Sequence, residues 1–147
     1  MKKYKLITIY ILGFLYIYVG ISHFTNFEFF IIIMPEFIPY HLFFIYLSGF
    51  LEIIFGLMIF FKSSRFYGAW GIFFLLFLVF PANIHLFMSS QVQEILSITK
   101  QDALIRLPFQ IPLIILAYWH SKESNSRFFN ILCALIFIPT IVYFLTL

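Results

Sequence analysis

Six polar side chains stand inside or beside long apolar runs, and they are where chemistry can be sought. Glu52 comes ten residues after Leu42, in Ser48-Gly49-Phe50-Leu51-Glu52-Ile53-Ile54-Phe55-Gly56. Ser48, Glu52 and Gly56 recur at i, i+4 and i+8, which sets them on one helix face. An ionisable group at the middle of such a run costs roughly 2.5–3.5 kcal/mol on insertion scales, so it takes a partner or faces a water-filled cavity. His23 ends the first apolar run and shares a face with Gly13, Tyr16 and Gly20. Asn83 and His85 follow Pro81, which cannot donate to the Phe77 carbonyl and leaves it needing another partner. Arg106 and Gln110 are one turn apart in Arg106-Leu107-Pro108-Phe109-Gln110.

Groups of these types can exchange protons, anchor the polar part of a ligand, or brace helices. The economical pairing is Glu52 with Arg106, because it neutralises both charges. His23, His85, Arg106 and Gln110 are then expected to lie toward one side of a bundle, with Glu52 below them, lining a pocket open outward. Bland readings stand beside this one. Glu52 and Arg106 serve equally as a structural ion pair, and Arg106 also reads as a side chain that snorkels to the interface. Asn83 and Gln110 also read as interhelical glue. The two histidines and the glutamate come from separate segments without metal-ligand spacing, so packing or hydrogen bonding is expected of them and no metal.

The elements that position these residues follow from composition. Of 147 residues, 63% are hydrophobic and 10% charged, with mean hydropathy +1.04. A water-soluble domain carries about a quarter charged residues. One all-α membrane domain over 1–147 is expected, with spans near 4–24, 42–61, 66–88, 104–119 and 128–147. The segment 26–39 carries an apolar run too short to cross, stopped by Pro35 and Pro39, and is expected at the interface or re-entrant. The polar stretch Ser89 to Ala103 reads as a surface turn, with Val92, Ile95 and Leu96 at helical spacing. The first run, Leu6 to Phe24, is longer than a secretory core and lacks an A-x-A-like site, so it reads as a retained helix. Cys133 is the single cysteine, which excludes a dithiol or disulfide framework within this chain.

Seven of the nine Lys and Arg residues, namely Lys2, Lys3, Lys5, Lys62, Arg65, Lys122 and Arg127, fall on one side of such a bundle, against Lys100 and Arg106 on the other. The excess marks the cytoplasmic side, so the N-terminus is expected inside and Leu147 outside. Tyr67, Trp70, Tyr118 and Trp119 then fall near the inner boundary and Tyr40 near the outer one. Basic residues at the ends of apolar runs read as topology determinants, and no nucleic-acid partner is expected.

The order Gly20-Ile21-Ser22-His23-Phe24, Met34-Pro35 to Pro39, Ser48-Gly49 to Glu52 and Gly56, Pro81-Ala82-Asn83, and Arg106-Leu107-Pro108-Phe109-Gln110 resembles the DoxX-like membrane proteins. The resemblance covers Leu6 to Trp119. It implies a four-helix transmembrane bundle of bacterial inner-membrane type, related in architecture to the small subunit of thiosulfate:quinone oxidoreductase; the C-terminal span would be a fifth. It carries no catalytic role to any residue. The expected function is a redox-associated subunit holding a quinone-like or other lipophilic molecule in the outward pocket, with Glu52 and Arg106 as anchors. No side chain carries electrons, so such a chain is not expected to be an enzyme alone, and its expected partners are membrane lipid and a redox subunit. The alternatives are a non-enzymatic accessory or chaperone protein and a small transporter, the last disfavoured by the lack of a repeat pair.

Overall fold

A backbone in hydrocarbon must satisfy its own polar groups, and a helix does so within one segment. The computed structural model describes residues 2–145, and among these every regular element is helical. Seven helices follow in chain order: α1 Lys2–Thr25, α2 Phe27–Ile33, α3 His41–Met58, α4 Arg65–Met88, α5 Ser90–Ile95, α6 Lys100–Ser121 and α7 Arg127–Leu145. Five of them, α1, α3, α4, α6 and α7, are long and apolar enough to cross a membrane. The chain is a multi-pass membrane protein.

The main packing runs α1 on α3, α3 on α4 and α4 on α6, with α7 laid against α6 and touching α1. Leu12, Ile59, Ile72, Leu116, Trp119 and Cys133 centre the core. Outward faces carry Phe14, Leu78 and Leu135, each more than 60% exposed, an apolar surface suited to lipid. Short α2 packs on α1, α3 and α4 across one end of the bundle. There Ile33 joins Leu86, Val92 and Ala103 in a second, smaller core.

Two boundaries differ from the hydropathy reading, each for a local reason. The second span stops at Met58, not 61, because the chain turns and side chains take up its last carbonyls: Ser64 donates to the Met58 oxygen (2.8 Å) and Arg65 Nε to that of Ile59 (2.8 Å). The fourth span is longer than 104–119. Thr99 and Asp102 form a reciprocal capping box that starts the helix at Lys100, in polar sequence that an apolar count passes over. Within 26–39, residues 27–33 form α2, which ends before Pro35 as expected. The expected turn at 89–103 contains α5, capped by the Ser89 hydroxyl, which accepts from Val92 N. The last two residues of the expected fifth span, including Leu147, lie outside the described residues.

Candidate functional site

Two antiparallel stripes meet between α1 and α3. Ile9, Gly13, Tyr16, Gly20 and His23 repeat at alternating spacings of four and three, and so do Ile45, Gly49, Glu52, Gly56 and Ile59. Spacing of this kind keeps one seam facing its partner along the helix. The seam is closest where glycine meets glycine, since no Cβ holds the backbones apart. A Cβ on Gly20 would stand 2.6 Å from the Gly49 carbonyl oxygen, and one on Gly49 would stand 2.8 Å from the Gly20 oxygen. At the second crossing, a Cβ on Gly56 would lie 3.0 Å from the Gly13 oxygen. Tyr16 and Glu52 sit between these two contacts.

This seam buries a polar cluster. His23 Nε2 lies 3.3 Å from Glu52 Oε2. Both residues are buried, at 5% and 6% exposure. On its other side the ring is fixed. Ser48 donates its hydroxyl proton to the Ile45 carbonyl (2.9 Å), and His23 Nδ1 reaches the same carbonyl (3.0 Å) and the Ser48 oxygen (3.1 Å). Those partners have only lone pairs to offer, so Nδ1 carries a proton. A neutral ring then turns a bare Nε2 toward the carboxyl group. One proton between Nε2 and Oε2 gives either imidazole with carboxylic acid or imidazolium with carboxylate. The contact lacks hydrogen-bond direction, leaving Oε2 buried with no hydrogen-bond partner. The Tyr16 hydroxyl is likewise buried without one, within electrostatic range of Glu52. Buried polar atoms are nearly always satisfied, so two orphans in one seam call for an explanation.

The other expected residues gather at the same end, but in separate groups. Asn83 Nδ2 donates to Gln110 Oε1 (2.8 Å), and buried Gln110 donates to the Leu76 carbonyl, tying α4 to α6. The carbonyl that Gln110 reaches is thus one residue before the one Pro81 leaves free. His85 Nδ1 donates to the carbonyl of Ile33 at the end of α2 (3.1 Å). Half-buried Arg106 has its guanidinium 6.0 Å from the Phe29 ring and its Nε buried with no hydrogen-bond partner. Helix α2 links these groups, since Phe30 covers the His23 ring (3.7 Å between centroids), Phe29 faces Arg106 and Ile33 meets His85.

Two expectations are corrected. Glu52 pairs with His23 and not with Arg106. The glycine contacts press α1 onto α3 and bring His23 to the carboxyl, whereas Arg106 is on α6, which packs against α4. Nor do the six residues line one open pocket: His23, Glu52 and Gln110 are buried between packed helices. A shallow surface hollow of about 560 Å³ is lined by Glu36, Ile38, Tyr40, His41, Leu42 and Phe43, none of the six. Trp119 packs inside the bundle. It is 1% exposed, and its indole donates to Asn130 Oδ1 (2.8 Å). Among the described residues no group of three or more His, Cys, Asp or Glu side chains is placed to hold a metal.

A second polar group, at the opposite end, had no expectation attached. Thr8 and His120 are both 1% exposed. Thr8 donates to the Lys5 carbonyl (2.8 Å), so its oxygen accepts from His120 Nε2 (3.0 Å). At the α2 end, also without an expectation, buried Gln93 donates to the Leu86 and Phe87 carbonyls (2.8 Å each), closing the end of α4. Thr8 precedes Leu12 and Tyr16 on one stripe of α1, and that spacing was the available signal. His120 lies one residue past the run that ends at Trp119.

Fold and seam together define a multi-pass helical membrane protein whose first two long helices enclose a buried His–Glu pair. The family model for a domain of unknown function, DUF8561, matches residues 12–121, about three-quarters of the chain, and the chain belongs to that family. No curated protein and no solved structure matches it.

Proposed function

We propose that this chain is a redox-associated membrane subunit that holds a quinone-like or other lipophilic molecule at the end of the bundle covered by α2. The observation that carries this reading is the pair of orphaned buried oxygens, Tyr16 Oη and Glu52 Oε2, beside a histidine whose second nitrogen faces the carboxyl. When bound, a quinone supplies carbonyl oxygens that accept hydrogen bonds and take up protons on reduction. The Tyr16 hydroxyl is a donor of the required type, and His23 with Glu52 holds a proton at Nε2 or Oε2. Arg106 is a further cation under α2, against the Phe29 ring. Electrons come from a partner subunit, because no group in this chain carries them.

The motif order that resembles DoxX-like proteins supports the same reading, and it supports a bacterial inner membrane as the location. Seven basic residues at the N-terminal end of the bundle, against two at the other, support a cytoplasmic N-terminus. The test is purification in lipid with mass spectrometry of copurifying small molecules, followed by thermal melts with a short-chain quinone. Bound quinone, and stabilisation that Glu52→Gln removes, is the expected result. No bound quinone, no stabilisation and a Glu52→Gln protein that behaves as wild type refute it.

An accessory or chaperone role draws on a different observation: Gln110, Asn83 and His85 all spend their hydrogen bonds bracing helices. Crosslinking in native membranes that captures a stoichiometric partner, in a protein without bound quinone, favours it.

A further inference from the structure

We propose that Lys5 and Arg65 form a binding site for the phosphate of an anionic phospholipid at the basic end of the bundle, independent of the site under α2. Lys5 on α1 and Arg65 at the start of α4 are both half-buried, and each lies within electrostatic range of the other and of His120. Lys5 Nζ donates to the Lys122 carbonyl (2.6 Å), and Arg65 donates from Nε to Ile59 (2.8 Å) and from Nη2 to Phe60 (3.2 Å). Those bonds use one of three ammonium donors and two of five guanidinium donors. Among the described residues neither cation has a carboxylate within ion-pair distance. Glu123 is the acidic residue of this end, and it pairs with exposed Lys62 (3.3 Å). Two like charges held together without a counter-charge are unfavourable in a partly desolvated place, and an anion relieves both.

The surroundings select a lipid as the source of that anion. Lys5 lies 5.2 Å from the buried Trp119 ring, and Lys122, whose carbonyl Lys5 holds, lies 5.4 Å from the exposed Tyr118 ring. The neighbouring surface is apolar, with Leu6, Ile7, Tyr10 and Phe66 all exposed. Cations bordered by exposed apolar and aromatic side chains match a ligand with a phosphate at one end and acyl chains at the other.

The test uses the full chain in nanodiscs of phosphatidylcholine with increasing phosphatidylglycerol, read by thermal stability. Wild type is expected to be stabilised by phosphatidylglycerol and not by inorganic phosphate in solution. Lys5→Gln and Arg65→Gln keep a donor for the carbonyls and remove the charge, and each is expected to weaken the effect about five-fold. Lys3→Gln and Lys62→Gln remove exposed charges from the same end, and less than a two-fold change is expected. Equal losses in all four variants indicate diffuse surface attraction and overturn the proposal. Stabilisation by inorganic phosphate that matches phosphatidylglycerol overturns the lipid assignment. Should the Gln variants fail to fold, wild type decides alone: no preference for phosphatidylglycerol over phosphatidylcholine overturns the site.

Discussion

Replacing Gly20 with alanine tests the seam that builds the candidate site. The new Cβ would stand 2.6 Å from the Gly49 carbonyl oxygen, 2.7 Å from Ile53 Cγ1 and 3.0 Å from the Ile53 nitrogen. Ordinary contact begins near 3.4 Å, so the α3 backbone must retreat by about 0.8 Å. Overpacking of this kind costs about 1–3 kcal/mol. For a chain of this size that is a fall in melting temperature of about 2–12 °C. Gly13→Ala is the internal control. Its nearest neighbours are the tip atoms of the Phe60 ring, which can swing away where a backbone cannot, and the Gly56 oxygen stands farther off, at 3.0 Å, than the Gly49 oxygen from Gly20. The expected order of stability in detergent melts is wild type, then Gly13→Ala, then Gly20→Ala. Gly20→Ala at or above wild type, or above Gly13→Ala, refutes the close-packed seam.

The remaining predictions concern polar contacts. A double-mutant cycle on His23→Ala and Glu52→Gln should show a coupling of about 0.5–3 kcal/mol in unfolding free energy, while a cycle on Glu52→Gln and Arg106→Gln should show none beyond error. A coupled Glu52–Arg106 cycle would restore the pairing that the structure replaces. Gln110→Leu removes the donor to the Leu76 carbonyl and the acceptor for Asn83, and it should cost about 1–3 kcal/mol in the same melts. An unchanged melt would mean that the α4–α6 tie is not a brace. Thr99→Ala removes one half of the capping box and should cost about 1 kcal/mol, with faster amide exchange in the first turn of α6 as the local readout. Equal exchange in both proteins would remove the cap from the account.

Five spans were legible because a helix surrounded by lipid is apolar on every side, and simple hydropathy registers that. The boundaries at Met58 and Lys100 were not, since side-chain caps in polar sequence set them. The face of α1 bearing Gly13, Tyr16, Gly20 and His23 was also legible from spacing alone, as was that of α3 bearing Ser48, Glu52 and Gly56. What spacing does not state is which face meets which. The pairing of Glu52 with His23 follows from two glycine crossings that fix the register of α1 on α3. Charge neutralisation alone pointed to Arg106, which lies on a helix packed elsewhere. The Thr8–His120 bond joins residues 112 apart in sequence, and only the folded bundle brings them together.

In the proposed function the Glu52 carboxyl, with His23, meets a bound quinone-like molecule. Infrared difference spectroscopy of the full chain in lipid, with isotope-labelled glutamate, reads that carboxyl directly as a short-chain quinone is added. A shift in a carboxyl band on quinone addition, absent from Glu52→Gln and altered in His23→Ala, is expected. A wild-type spectrum whose carboxyl bands do not change with quinone would contradict it.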